Sequence, residues 1–286
     1  MYMDIIKIVF VGILGLLLGS FVNAWVWRLS QQIDEEGQPK KLTAKQKKAL
    51  SIATARSMCP HCKHTLQAID LVPVFSWLAL RGKCRYCHKP ISKQYPVVEL
   101  ITAAVFAISA YYWVFGETWQ YVGFATWLAV LVGLVALAIY DIKYGLLPDK
   151  INYKMYAIAA AGLVIQFVVG RPLSDWTQVL SSLLICSGIF WVIYQVSKGT
   201  WIGGGDVKLG FLLGLVIVST ADSLLMLFIA SLLATCVTLP LMYVKRLNIK
   251  TRVPFGPFLI AATYIAVLFG QSIIDWYQSF ILSIIV

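Results

Sequence analysis

Residues 120–140 read QYVGFATWLAVLVGLVALAIY, an uncharged run that ends directly before Asp141. At about 1.5 Å per residue, a helix of this length spans roughly 30 Å, which is the thickness of the hydrocarbon core of a bilayer. Backbone polar groups inside that core must find their partners within the protein, as they do in a helix. The run therefore predicts a membrane-spanning helix with an aspartate at one end.

The rest of the chain has the same apolar character. Hydrophobic residues make up 59% of the 286 positions and charged residues 13%, whereas soluble domains have about half apolar and about a quarter charged residues. The pattern predicts an all-α polytopic membrane protein with about eight transmembrane helices. The predicted spans are residues 5–27, 96–115, 120–140, 152–169, 177–196, 207–219, 223–244 and 255–274.

A polar, basic segment separates the first span from the others. We predict a first transmembrane helix at residues 1–27, a loop domain at 28–95 and a multi-helix membrane domain at 96–286. With the N-terminus outside, 22 of the 24 Lys and Arg residues fall on the inner side, and only Lys7 and Arg171 remain outside. Cytoplasmic loops are enriched in Lys and Arg, so this orientation is favoured. The net charge of +11 then predicts contact with anionic membrane lipid rather than nucleic acid.

The loop domain contains two Cys-x-x-Cys pairs, Cys59 with Cys62 and Cys84 with Cys87. Four thiolates with this spacing are typical of a tetrahedral zinc site, and a reducing cytoplasm favours metal over disulfides. A full tetrahedron leaves no position for water or substrate. We therefore predict a structural Zn²⁺ that stabilises a small domain, with a nucleic-acid-binding zinc ribbon as the alternative.

Two aspartates are predicted to lie at the same membrane depth. Asp141 ends one span, and Asp206 begins another directly after the glycines at 203–205. Ionisable residues in apolar spans are costly and usually functional. Two neighbouring carboxyls share a proton, so together they can activate water and protonate a peptide carbonyl. The glycines would admit a substrate backbone. The pair predicts an aspartyl peptidase, and two helix caps are the alternative.

Other polar residues beside the spans have simpler interpretations. Asp149 is predicted to be the N-cap of a span. Glu99 lies just inside a span, where a helix dipole would favour a carboxylate. The turn at 254–257 (Pro-Phe-Gly-Pro) is interpreted as a packing element.

The order and spacing of several motifs resemble the type IV prepilin peptidases, a family of GxGD membrane aspartyl proteases. The resemblance covers most of the chain. Besides the cysteine loop, the motifs that carry it are residues 19–23 (GSFVN), 95–100 (YPVVEL), Asp141 with 147–149 (LPD), 203–209 (GGGDVKL) and 254–259 (PFGPFL). One position departs from the pattern, since Gln94 stands where the family often has Arg.

The resemblance implies that Asp141 and Asp206 are the catalytic pair. The implied substrates are type IV prepilins or type II secretion pseudopilins, whose short basic leader is cut after a glycine at the cytoplasmic face of the bacterial inner membrane. Members with the cysteine loop are often bifunctional and methylate the new N-terminus with S-adenosylmethionine. The residues implied for that activity or for the substrate groove are Gly19, Asn23, Glu99, Gly203 and Gly205.

Two other classes of function remain open from the residues alone. In a proton- or metal-coupled transporter, Asp141 and Asp206 would form a relay, although relay carboxylates are expected near mid-membrane. In a membrane-anchored scaffold, the cysteine loop would bind a partner and both aspartates would be dispensable.

Overall fold

The computed structural model describes residues 2–34, 37–52, 54–245 and 253–285. Within these ranges every regular element is helical, and extended backbone pairs only at three isolated bridges between residues 33 and 90. This confirms the predicted all-α class. The chain forms two compact units, Met1–Trp113 and Val114–Val286.

The first unit contains two long helices and the polar loop between them. Its elements are α1 (Tyr2–Ser30), α2 (Ala44–Ala49), a 3₁₀ turn (Ala68–Leu71), α3 (Phe75–Ala79) and α4 (Gln94–Tyr112).

Helices α1 and α4 pack closely because α1 presents glycines to its neighbour. A Cβ atom at Gly15 would lie 2.8 Å from Ala103 Cα, and one at Gly19 would lie 2.8 Å from Glu99 Cα. Small residues at such positions let two helix backbones approach and gain van der Waals contact. Gly19 therefore contributes to the helix seam.

The second unit consists of helices joined by short turns. Its elements are α5 (Thr118–Tyr144), α6 (Asp149–Val168), α7 (Asp175–Leu183), a π-helical turn (Leu184–Gly188), α8 (Ile189–Ser197), α9 (Gly204–Ile217), α10 (Thr220–Lys245) and α11 (Gly256–Ile285).

Helices α5 and α6 are antiparallel neighbours. Gly145 ends α5 in the left-handed conformation at φ 64°, which glycine adopts without steric cost. Farther along, Met155 of α6 packs onto Gly133 of α5, and Gly162 of α6 packs onto Thr126 of α5. These contacts fix which face of α6 is turned toward α5.

Seven described helical stretches are long and apolar enough to cross a membrane. They correspond to seven of the predicted spans, with α7, the π turn and α8 forming one stretch. The remaining predicted span, 207–219, becomes α9, whose 14 residues extend only about 21 Å. The last helix extends to Ile285, beyond its predicted end at residue 274.

Candidate active site and cysteine cluster

The second unit brings together the two aspartates singled out in the sequence. Asp141 lies in the last turn of α5 and is 5% exposed. Asp206 lies in the first turn of α9, where its amide donates to the carbonyl of the N-cap residue Gly203 at 3.1 Å. The two carboxylates are near enough to interact electrostatically, although 65 residues separate them in sequence.

A third segment supports Asp141. The amide of Gly256 donates a hydrogen bond to Asp141 Oδ2 at 3.1 Å. A Cβ atom at Gly256 would lie 2.6 Å from that oxygen, so any side chain there would displace the carboxylate. The turn at 254–257 therefore contacts a candidate catalytic group, a role that the packing interpretation missed. Its place among the family motifs was the available signal.

Leu147 connects the two halves of this site. A Cβ atom at Gly256 would lie 3.3 Å from Leu147 Cδ2, and one at Gly205 would lie 3.2 Å from Leu147 Cβ. The Leu147 side chain therefore lies beside both Gly205 of α9 and Gly256, whose amide bonds to Asp141.

Asp149 is not the N-cap that the sequence predicted. Pro148 is the N-cap of α6, and Asp149 is its first helical residue. The Asp149 carboxylate instead accepts two hydrogen bonds from Lys208 Nζ, each 2.8 Å long. Lys208 is two residues beyond Asp206, and its carbonyl accepts a hydrogen bond from Tyr156 OH at 2.6 Å. Helix α6 therefore contacts the N-terminal part of α9 through both an ion pair and a hydrogen bond.

This arrangement has the elements that hydrolysis of a peptide by water requires. Two interacting carboxyls cannot both ionise at low cost, so they share a proton and offer an acid and a base together. The glycines at positions 203 and 205 leave the backbone before Asp206 without side chains. A substrate main chain could approach the carboxylates along this segment.

The other residues singled out for a groove, Gly19, Asn23 and Glu99, lie in the first unit. Glu99 is buried on α4, and its Oε2 accepts a 2.7 Å hydrogen bond from the amide of Val74. Val74 adopts φ 62°, an unusual conformation for a β-branched residue. Asn23 donates to the carbonyl of Tyr95 at 3.1 Å, whereas its buried Oδ1 has no hydrogen-bond partner among the described residues.

The four cysteines of the loop converge. The Sγ atoms of Cys59, Cys62, Cys84 and Cys87 all lie within 4.8 Å of one another. Four thiolates around one zinc ion, with Zn–S bonds of about 2.3 Å, would lie about 3.8 Å apart. The donor set and its spacing thus fit a tetrahedral metal ion.

The two Cys-x-x-Cys turns share one backbone conformation. The amide of Cys59 donates to the carbonyl of His64, and the amide of Cys84 donates to that of Lys89, each at 2.9 Å. The residue after each pair, Lys63 or His88, has positive φ. Burial acts to raise the pKa of Cys59, but hydrogen bonds from the amides of Cys62 and His61 outweigh it and lower that pKa to about 7. The first turn therefore favours the thiolate form of Cys59, which is the form that binds metal.

Asp70 lies between the two Cys-x-x-Cys turns in sequence and bonds to residues of the second turn. Its side chain, 4% exposed, accepts hydrogen bonds from Arg85 Nε at 2.7 Å and Tyr86 OH at 3.0 Å. Burial alone would raise the pKa of Asp70, but these bonds and one from the Gln67 amide lower it below its ordinary value. Asp70 is therefore a structural anion of the cysteine loop.

Comparison with known proteins gives matches over both units. Residues 13–113 match the family model described as "Bacterial Peptidase A24 N-terminal domain", and residues 128–239 match "Type IV leader peptidase family". No solved structure matches.

Named relatives match over nearly their whole length. A "Prepilin leader peptidase/N-methyltransferase" of Stutzerimonas stutzeri is 33% identical over 94% of this chain and 92% of its own. A protein of the same name from Pseudomonas aeruginosa is 32% identical, with the same coverage. A "Type 4 prepilin-like proteins leader peptide-processing enzyme" of Escherichia coli is 32% identical over 89% of this chain and 93% of its own. The chain therefore belongs to the type IV leader peptidase family.

Proposed function

We propose that this member of the leader peptidase family removes the short basic leader from type IV prepilins or pseudopilins, with Asp141 and Asp206 as the catalytic pair. The observation that carries the proposal is the convergence of these two carboxylates beside a glycine-lined stretch of backbone. The printed names of the relatives supply the substrate class.

The proposed reaction is hydrolysis of a peptide bond by water. One carboxylate accepts a proton as the water oxygen attacks the scissile carbonyl carbon, and the other carboxyl donates a proton to the carbonyl oxygen. The tetrahedral intermediate then collapses: the carboxyl that took the water proton gives it to the leaving amine, and the other carboxylate recovers a proton from a hydroxyl of the intermediate. The Gly256 amide holds the carboxylate of Asp141 in place for these transfers.

The relatives' names also suggest methylation of the new N-terminus. S-adenosylmethionine, when bound, would supply the methyl group. The chain's own contribution would be to hold the amine, for which the Asn23 Oδ1 offers a buried acceptor without a partner among the described residues and Glu99 offers a buried carboxyl group. Gly19 would act indirectly by letting α1 approach Glu99.

The cysteine cluster is proposed to bind one structural zinc ion. Zinc suits four thiolates in a tetrahedron, and such a site contributes directly to folding. With all four positions occupied by protein sulfur, the ion would have no place for substrate. The proposed domain organisation is a membrane helix at 1–27, a zinc-binding loop domain at 28–95 and a peptidase domain at 96–286.

The proposed location is the bacterial inner membrane, with the zinc loop and both aspartates on the cytoplasmic side and anionic lipid beside the basic loops. The support is the distribution of Lys and Arg in the sequence. A single cysteine introduced near Lys143 or Lys198 should resist impermeant thiol reagents in intact cells. Labelling from outside would contradict this topology.

The central experiment is incubation of the purified protein with a prepilin, with and without S-adenosylmethionine, followed by mass measurement of the product. Loss of the leader mass supports the peptidase, and a further gain of one methyl group supports the transferase. An unchanged prepilin mass would refute the proposed peptidase.

A further inference from the structure

Asn152, in the first turn of α6, has a side chain that the proposed mechanism does not use. The residue is 0% exposed. Neither its Nδ2 nor its Oδ1 has a hydrogen-bond partner among the residues that the structure describes. A buried carboxamide without partners costs free energy, so such a group calls for an explanation.

The neighbours of Asn152 on its helix show where the side chain points. Asp149 at i−3 and Tyr156 at i+4 both bond to Lys208 of α9. Met155, at i+3, packs onto Gly133 of α5. Residues three and four apart share a helix face, so Asn152 is directed between α5 and α9.

The same geometry sets the depth of the side chain. Side chains on a helix lean toward its N-terminus. The N-terminal end of α6 is the end at which α5 carries Asp141 and α9 carries Asp206. The carboxamide of Asn152 therefore lies at the end of the helices that carries the two carboxylates.

The chemistry of a carboxamide matches one ligand in particular. It offers two N–H donors and one carbonyl acceptor, the complement of a peptide group. An aspartyl peptidase must hold its substrate main chain so that one carbonyl lies between the carboxylates.

We propose that Asn152 is a substrate-binding residue whose carboxamide pairs with a main-chain peptide group of the prepilin next to the scissile bond. This inference rests on the proposed peptidase function. It adds a main-chain contact that positions any prepilin sequence in the same register.

The first test compares Asn152→Leu with wild type in the full-length protein. Leucine keeps the volume and removes an unpaired polar group, so the variant should melt at or above the wild-type temperature. Its kcat/KM for prepilin should fall by about tenfold to a hundredfold, mostly through a higher KM.

Gln166→Leu is the matched control on the same helix. Gln166 is 7% exposed, and its amide is already paired, with Nε2 donating to the Gly162 carbonyl and Oε1 accepting from Arg171. This variant should melt lower than wild type and keep its kcat/KM. A stable variant with reduced kcat/KM and a less stable one with wild-type kcat/KM would separate substrate binding from structural support.

A second test uses prepilin peptides that carry a single backbone N-methyl group at successive positions around the cleavage site. In wild type, N-methylation at one position should lower kcat/KM because an N–H donor is lost. That decrease should disappear in Asn152→Leu. Wild-type kcat/KM in Asn152→Leu, or the same N-methyl pattern in both proteins, would overturn this inference alone. A wild-type protein that trims no prepilin would refute the proposed function and this inference with it.

Discussion

The cysteine loop and the aspartate pair are assembled in opposite ways. The four thiols come from two short turns of identical backbone, and each turn makes its own hydrogen bonds within six residues. The aspartate site draws on α5, the turn after it, α9 and the start of α11, so that Asp141 and its partner Gly256 are 115 residues apart.

The difference indicates how each site should respond to change. A locally built metal site depends on its ligands and the ion. Loss of a ligand should therefore unfold the loop as a whole, without a partly folded loop that still binds metal. A site built across helices is maintained by many packing contacts, so its groups can be altered individually while the fold survives. Four predictions test this contrast, in order of expected effect.

The largest effect is expected for Asp141→Asn and Asp206→Asn. Asn keeps the shape but cannot exchange the shared proton, so each variant should lose at least about 10⁴-fold in cleavage rate while its zinc content stays unchanged. The double variant should be no worse than either single one, because the two groups act as a unit. The measurement is the mass of a prepilin after incubation, and leader removal by either variant at the wild-type rate would refute the mechanism.

The next effect is expected for the double variant Cys59→Ser with Cys84→Ser. Removal of one ligand from each turn should reduce bound zinc to less than about a tenth of the wild-type content and lower the yield of folded protein. Metal content per folded protein is the measurement. Cys236→Ser is the control, since Cys236 is exposed and lies outside the cluster. Unchanged zinc in the double variant would contradict the four-thiolate site.

Gly256→Ala should have an intermediate effect. The new Cβ would meet Asp141 Oδ2 at 2.6 Å, so the carboxylate or the turn must shift. A displacement of about 1 Å at a catalytic group costs roughly a hundredfold in rate, and we expect a loss of that order in kcat. Gly188→Ala is the control, because its Cβ would meet no atom within 4 Å. Equal activity in the two variants would show that the Gly256 contact does not position Asp141.

The smallest effect is expected at the ion pair between Asp149 and Lys208. Both side chains are exposed to solvent, 46% and 44% respectively. Such pairs contribute about 0–1 kcal/mol, so Asp149→Asn or Lys208→Met should change kcat/KM by no more than about fivefold. The difference from wild type should shrink further at high salt, where charges are screened. A loss comparable to that of Asp206→Asn would mean that this pair belongs to the catalytic machinery.

The sequence by itself determined that this is an all-α membrane protein, and it singled out the four loop cysteines and the two aspartates. Uncharged runs such as 120–140 predict membrane helices because a bilayer tolerates few charges and no unpaired backbone groups. The spacing of Cys59, Cys62, Cys84 and Cys87 predicted a cluster that the structure brings together, because each turn is local. Asp141 and Asp206 were conspicuous as carboxylates at the ends of apolar segments.

Tertiary structure alone decided which groups meet. It paired Asp149, a predicted cap, with Lys208, placed the Gly256 amide against Asp141, and buried both polar atoms of Asn152 without a hydrogen-bond partner among the described residues. A sequence pattern reports whether a residue faces lipid, protein or water and what it can bond to nearby. The choice of neighbouring helix depends on the packing of bulky side chains against glycines, as at Met155 and Gly133, and many such contacts must be satisfied together. That condition involves the whole fold, so no single stretch of sequence contains it.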